Sequence, residues 1–274
     1  MMRVAVVQLS SGPDRDANLT HIEGVIERAA AAGAALVLLP EACSYRGELA
    51  PDLVEDRNGP TLTRIGAAAR RNEVAVLVGG LWLDSGDPAR PYNASVFIDP
   101  AGKVVAEYNK VHLFRLQSVD VSEDEGSYTT AGDQLVIVEF NGISFGLSIC
   151  YDLRFPELYR ALSGADVLCV PSNFSAVTGT AHWEPLLRAR AIENLCYVLA
   201  PAQEGVSEDG FVTHGHSLAV DPWGRVLADV DGTEMAIVEL DPAVLAEARA
   251  ALNSPAEVAP HVYSRDVLRV VAGG

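Results

Sequence analysis

Three side chains in this chain share one placement, immediately beyond an apolar run. Glu41 follows L-V-L-L-P, Lys110 follows the strand-like segment ending at Tyr108-Asn109, and Cys150 follows F-G-L-S-I. Together these residue types can do nucleophilic chemistry. A thiol attacks as the thiolate, which a nearby cation favours. A carboxylate placed to take the thiol proton serves as base, and shielding from water lifts its pKa toward the working range. A lysine, with the backbone N–H that follows the cysteine, donates to a developing oxyanion. Taken singly, each residue has a plainer reading. Cysteine is a common core residue, lysine is a surface residue, and an acid after proline is a helix-start or loop residue.

The elements that must position these groups alternate along the chain. Strand patterns are expected at Val4–Leu9, Leu36–Leu39, Val74–Leu83, Asp166–Val170, Cys196–Ala200 and Glu234–Leu240. Helical spacing marks Asn18 to Ala32, Thr61 to Arg71, Pro156 to Ser163, His182 to Asn194 and Pro242 to Leu252. Three hairpins are predicted. They turn at Asp99–Gly102, at Asn141-Gly142 between Leu135–Phe140 and Ile143–Ile149, and at Asp221–Gly224. Gly126 to Gly132 and Gln203 to Gly215 read as polar loops. No linker or fixed-period repeat divides the chain, so one α/β domain over 1–274 is expected, with a tail from about 253. In open α/β sheets ligand sites gather at strand ends, where all three reactive groups sit.

Composition removes several function classes. Lys plus Arg is 20 and Asp plus Glu is 37, a net charge of −17, which disfavours a nucleic-acid partner. A few local cations can still reverse the field inside a pocket. The longest apolar run, Ala29 to Leu39, falls short of the roughly 20 residues of a spanning helix, so no membrane partner and a cytoplasmic location are expected. Asn18, Asn93 and Asn173 sit in N-x-S/T triplets, which carry no meaning without secretion. Cys43, Cys150, Cys169 and Cys196 form no C-x-x-C, and His214-x-His216 lacks a third ligand, so no metal is expected.

The wording around the three residues resembles the carbon–nitrogen hydrolase (nitrilase) superfamily over nearly the whole chain. L-L-P-E at Leu38–Glu41, Y-N-K-V-H-L at Tyr108–Leu113 and I-C-Y-D-L-R-F-P-E at Ile149–Glu157 are similar to its glutamate, lysine and cysteine motifs, in its order. Segments Ser172 to Asn194 and His214 to Gly224 agree. The resemblance implies a four-layer αββα sandwich of two mixed sheets, pairing into homodimers or larger homo-oligomers, without cofactor. It implies Glu41 as general base, Lys110 as electrostatic support and Cys150 as nucleophile, with the Tyr151 N–H at the oxyanion. A second family glutamate is best matched by Glu125, with Glu123 and Asp124 beside it.

C-Y-D-L-R-F-P-E and T-G-T-A-H-W-E are closest in wording to the Nit amidases, which include ω-amidases and deaminated glutathione amidases. An amidase releasing ammonia from ω-amides of dicarboxylates, such as 2-oxoglutaramate or deaminated glutathione, is therefore expected. An N-carbamoyl amidohydrolase or nitrilase with the same triad is the alternative, and an idle binding protein on the same fold is another. A carboxylate-bearing substrate needs a cation. Arg154 can supply it or can bridge to Glu157 or Asp152. Arg115 stands where many Nit proteins carry an acid and is a second candidate. The resemblance adds Phe174 and its neighbour Asn173 to the pocket. Arg188 and Arg190 are expected to pair with Glu184 and Glu193. His182 and Trp183 are expected to pack where their helix begins.

Overall fold

Strand β1 (Met2–Leu9) is buried along almost all its length and sends alternate side chains into two different cores. Val4 and Val6 enter one, Ala5 and Val7 the other. The same division runs through β2 (Leu36–Leu38) and β3 (Ala75–Leu83). This is the two-residue period of a sheet covered on both faces. The computed structural model describes residues 1–87, 89–117, 122–208, 210–232, 234–252 and 254–259. The remainder of the expected tail lies outside the described residues.

One face of this first sheet is covered by α1 (Arg15–Ala31) and α2 (Pro60–Asn72), through Leu19, Ile22, Val25, Leu62 and Ile65. Asp14 starts α1 earlier than the apolar spacing indicates, by accepting from the Ala17 N–H at 3.0 Å. The sheet continues through β4 (Tyr92–Ile98) and β5 (Val104–Asn109), both antiparallel to their neighbours. A short ribbon follows, β6 (Arg115–Gln117) against β7 (Ser122–Asp124).

The second sheet begins with β8 (Ile137–Phe140) and β9 (Ile143–Leu147), joined by the predicted Asn-Gly turn. After α3 (Pro156–Ala161) come β10 (Val167–Cys169), α4 (Ala176–Asn194) and β11 (Tyr197–Ala200). The first sheet is then rejoined by β12 (Ala202–Val206) and β13 (Val212–His214), and the second by β14 (Ser217–Val220) and β15 (Val226–Val230). Finally β16 (Met235–Leu240) pairs with β1, and α5 (Pro242–Ala251) follows. The orders are β13-β12-β1-β2-β3-β4-β5, with β16 also on β1, and β15-β14-β11-β10-β9-β8. Both sheets mix parallel and antiparallel pairs. Their facing sides share a core in which Phe97 of β4 lies 6.3 Å from Phe145 of β9, and Trp183 and Leu187 of α4 join from outside. The result is the expected αββα sandwich.

Two expectations change, and one ribbon is additional to them. The polar loop Gln203 to Gly215 is largely β12 and β13; β12 runs parallel to the end of β1 at Gln8 and Leu9, so backbone pairing builds the strand without an apolar alternation. The β6–β7 ribbon has three-residue strands, too short to show a period. Helix α4 starts at Ala176, not His182, because Ser175 caps it. Pro185 lies inside that helix.

Candidate active site

Glu41, Lys110 and Cys150 meet at one end of the gap between the sheets. Glu41 follows β2 and Lys110 follows β5, both in the first sheet, whereas Cys150 follows β9 in the second. The Lys110 ammonium donates to Glu41 Oε1 at 3.0 Å and to Glu125 Oε2 at 2.8 Å. All four side chains are buried, and all line one cavity of about 170 Å³. Of the two acids left open beside the lysine loop, Glu125 is on Lys110. Glu123 lines the outer cavity and accepts from the Tyr128 hydroxyl at 2.8 Å.

Local structure explains each placement. Beyond β2 the chain turns through Ala42, at φ 56°, whose N–H bonds to the Gly80 carbonyl at 2.9 Å. Gly80, at φ 61°, cannot carry a side chain: a Cβ there would come within 2.6 Å of Glu41 Cγ. Gln203 holds the turn from behind, donating to the Glu41 carbonyl at 3.0 Å. Lys110 is held by its N–H on the Asn93 carbonyl, and its own carbonyl accepts from Gly132. Gly132 is required there because a Cβ would come within 2.1 Å of the Asn109 carbonyl oxygen.

Cys150 opens a 3₁₀ turn, Cys150–Arg154, with φ at 46°. A left-handed non-glycine residue at a strand-to-turn junction stores strain that its surroundings must hold. Asp152, fully buried, accepts from the Ile149 N–H at 2.9 Å, the Tyr108 hydroxyl at 2.7 Å and the His112 N–H at 3.0 Å. His112 also stacks on Phe155 with ring centroids 3.6 Å apart. The lysine and cysteine motifs are therefore locked to each other. At the far end of the turn, Arg190 donates twice to the Leu153 carbonyl, at 3.1 and 2.7 Å, and once to Glu193.

The electrostatics differ from the simplest expectation. Burial opposes ionisation of Glu41 more than any single contact does. Lys110, Asn93 and the Cys150 thiol together still hold its pKa below the ordinary value. The Lys110 amine loses to burial but gains more from Glu125 and Glu41, so its pKa stands well above normal. Burial, then the charge of Glu41, pushes the Cys150 thiol well up, and Lys110 only partly offsets this. The resting site is thus carboxylate, ammonium and neutral thiol, with the thiol lining the same cavity as Glu41.

Asn93 was not visible as a site residue, though a polar side chain inside an apolar strand is a signal. Its amide donates to Glu41 Oε1 at 2.9 Å and to Glu125 Oε1 at 2.8 Å, tying the two acids together. The backbone N–H of Asn173 donates to Glu41 Oε2 at 2.7 Å, and its buried Oδ1 has no hydrogen-bond partner among the described residues. Phe174 lines the cavity, as does Tyr151, whose N–H lies in the first turn after Cys150.

Arg154 also lines the cavity but makes neither expected bridge, to Glu157 or to Asp152. Its guanidinium sits 5.2 Å from the Phe174 ring centroid, with Nη1 3.1 Å from His182 Nδ1 and Nη2 donating to Thr178 Oγ1 at 3.0 Å. Among the described residues no carboxylate pairs with it. Arg115 does not line the cavity. It is exposed and pairs with Asp124 at 2.6 Å, since β6 and β7 place them opposite each other. Arg188 bridges to Glu184. Trp183 packs on Phe174 and donates to the His216 carbonyl. Among the described residues no three His, Cys, Asp or Glu side chains are grouped to hold a metal, and no helix is long and apolar enough to cross a membrane.

The arrangement has counterparts. The chain is 42% identical over 259 residues to the deaminated glutathione amidase of Synechocystis sp., covering 91% of this chain and 95% of that protein. It is similar to the crystal structure of the Caenorhabditis elegans NitFhit protein, with a TM-score of 0.88 and 35% identity, covering 96% of this chain and 66% of that one. It also matches XC1258 from Xanthomonas campestris, a CN-hydrolase superfamily protein, with a TM-score of 0.84 and 29% identity over 98% of this chain and 99% of that one. The family model for carbon-nitrogen hydrolase matches residues 3–250, which takes in both sheets and every residue of the buried cluster. With fold, cluster and relatives in agreement, the chain belongs to the carbon–nitrogen hydrolase family.

Proposed function

We propose that the chain is a thiol amidase that cleaves the C–N bond of small carboxylate-bearing linear amides, with ω-amides of dicarboxylates as the leading class. The observation that carries this reading is the buried Glu41–Lys110–Cys150 cluster opening on a cavity whose Arg154 has no acidic partner among the described residues. The substrate carboxylate pairs with Arg154. Asn173 Oδ1 accepts from the amide nitrogen. Cys150 Sγ attacks the carbonyl carbon as its proton passes to Glu41. Because the thiol is neutral at rest, attack and proton transfer go together. Lys110 has three protons and two carboxylate partners, so one donor remains for the oxyanion, beside the Tyr151 N–H. The C–N bond then breaks, with Glu41 returning its proton to the departing nitrogen. Water, deprotonated by Glu41, attacks the thioester, the C–S bond breaks, and the proton returns to sulfur. Glu125 and Asn93 fix Lys110 and Glu41 in place.

Relatives named as amidases favour this over carbamoyl hydrolysis or an idle fold. Self-association into a homodimer is part of the same reading. The exposed Trp223 supports it, next to Gly224, which packs on the exposed Ile192; sedimentation velocity checks it. For the activity, 2-oxoglutaramate, deaminated glutathione and succinamate are incubated with the protein beside an N-carbamoyl amino acid. The amides are expected to be hydrolysed, and Cys150→Ala is expected to lose at least about a thousandfold in kcat. Turnover of the carbamoyl compound alone, or full activity in the alanine variant, would overturn the reading.

A further inference from the structure

The segment T-G-T-A-H-W-E, Thr178 to Glu184, takes no part in the reaction described above, yet two of its side chains hold Arg154. Among the described residues eight other arginines pair with a carboxylate. Acids are plentiful in a chain of net charge −17, so the company that Arg154 keeps is informative. Its guanidinium lies 5.7 and 5.2 Å from the Tyr151 and Phe174 ring centroids, 3.0 Å from the Thr178 hydroxyl and 3.1 Å from His182 Nδ1. Two rings and a hydroxyl are neutral. The imidazole must be neutral as well. A guanidinium has no lone pair, so Arg154 Nη1 is the donor and His182 Nδ1 the acceptor. That fixes His182 as the tautomer with its proton on Nε2.

The helix that brings these acceptors is held firmly. Thr178 and His182 are four residues apart, so one face of α4 presents both to Arg154. Between them Gly179 lies so close to β13 that a Cβ there would come within 2.4 Å of the His214 side chain. Trp183, fully buried, packs on Phe174 with ring centroids 5.0 Å apart and donates to the His216 carbonyl at 2.7 Å. The two acceptors are therefore fixed points, and they restrict a side chain that would otherwise sample many rotamers. Of the five N–H groups of Arg154 they use two. Three remain, enough for a bidentate carboxylate, and the ordering is done before the substrate arrives.

We propose that His182 is a positioning residue that determines specificity. Through its Nδ1 lone pair it holds Arg154 at the cavity with the charge unspent, so that the enzyme selects amides whose acyl half ends in a carboxylate. This rests on the amidase reading above. His182 does not itself line the cavity; it acts through Arg154.

Succinamate and butyramide share a four-carbon acyl chain and differ in the terminal carboxylate, so their ratio of kcat/KM is the readout. The unaltered enzyme is expected to prefer succinamate about a hundredfold, the gain of a charge-assisted pair. In His182→Ala the KM for succinamate is expected to rise about tenfold with kcat within about threefold, the cost of lost preorganisation. Butyramide hydrolysis is expected to stay within about twofold. His182→Asn, which offers a neutral acceptor, is expected to restore most of the preference. His182→Glu supplies the carboxylate that Arg154 lacks, and the preference is expected to fall at least about thirtyfold. In an Arg154→Ala background, His182→Ala is expected to change neither substrate further, because the two side chains act as one. A preference unchanged in His182→Ala and His182→Glu, or an equal loss on both amides, would overturn the inference and leave the amidase reading standing. Equal turnover of the two amides by the unaltered enzyme would overturn it together with the carboxylate requirement. Hydrolysis of neither amide by protein whose Cys150 still alkylates would overturn the amidase reading as well.

Discussion

The chemistry of single residues sets the direction of the pH response. Glu41 must be ionised to accept the thiol proton, and Lys110 keeps it so against burial. Lys110→Met removes the charge and the hydrogen bond but leaves the burial. The Glu41 pKa then rises, and the acid limb of the kcat/KM profile moves to higher pH. Activity at the optimum falls about 10²–10³-fold, the usual cost of a lost oxyanion donor. Stability has the same sign. The folded pKa of Glu41 is depressed, so its contacts contribute fully above the ordinary value of 4.5 and are lost as pH falls through the folded value. A pH–rate series on both proteins checks this; an acid limb that stayed put would show that Lys110 does not govern Glu41. At this scale the sequence was readable where chemistry and strand ends coincide, at Glu41, Lys110 and Cys150. Asn93, Asp152 and Arg190 were not readable as site residues because their partners lie far along the chain, from Asn93 to Glu41, Tyr108 to Asp152 and Arg190 to Leu153. The protonation pattern was missed for a related reason. Shielding alone raises a carboxylate, and only the assembled contacts show that Lys110 and two neutral donors outweigh it.

Elements matter where they bend. Strand β3 shifts register between Val78 and Leu81, and Gly80 within that irregularity is what lets the strand lie against Glu41. Gly80→Ala would place a methyl group 2.6 Å from Glu41 Cγ and 2.9 Å from Asn93 Oδ1 at a φ that alanine resists. The expected cost is about 1–3 kcal/mol in urea unfolding, with kcat down at least about tenfold from a displaced base. Turnover within twofold of the parent would mean that the strand yields and Glu41 does not need this approach. Long periodic elements were legible: α1, α2, β3 and the Asn-Gly hairpin of β8 and β9 all lie where apolar spacing and turn residues put them. The β6–β7 and β12–β13 ribbons were not. The first is a separate two-stranded ribbon and the second continues the first sheet at its end; both are short and built by backbone pairing, with no apolar period to read. Those ribbons and the turns beside them supply Glu123, Tyr128 and Phe211 to the cavity, so its rim was the least legible part of the site.

Across the whole molecule, the site depends on two sheets keeping their alignment. Glu41 and Lys110 belong to one, Cys150 and Asn173 to the other, and the close pass of Gly79 over Pro171 leaves no room for slack. The net charge of −17 gives no help here, since the charges that act on the thiol are the buried ones. Alignment therefore rests on the core between the sheets, where Phe97 of β4 packs on Phe140 and Phe145 at 5.6 and 6.3 Å. The core under α1 and α2 touches only the first sheet. This separates two variants of comparable stability cost. Phe97→Ala opens a cavity between the sheets and is expected to cost about 3–5 kcal/mol, and Ile65→Ala opens one beneath α2 for about 2–5 kcal/mol. Below their unfolding transitions only Phe97→Ala should lower kcat and slow alkylation of Cys150, because only there can the thiol move relative to Glu41 and Lys110. Equal losses of turnover in the two variants would mean that stability in general, and not the spacing of the sheets, keeps the thiol within reach of its base.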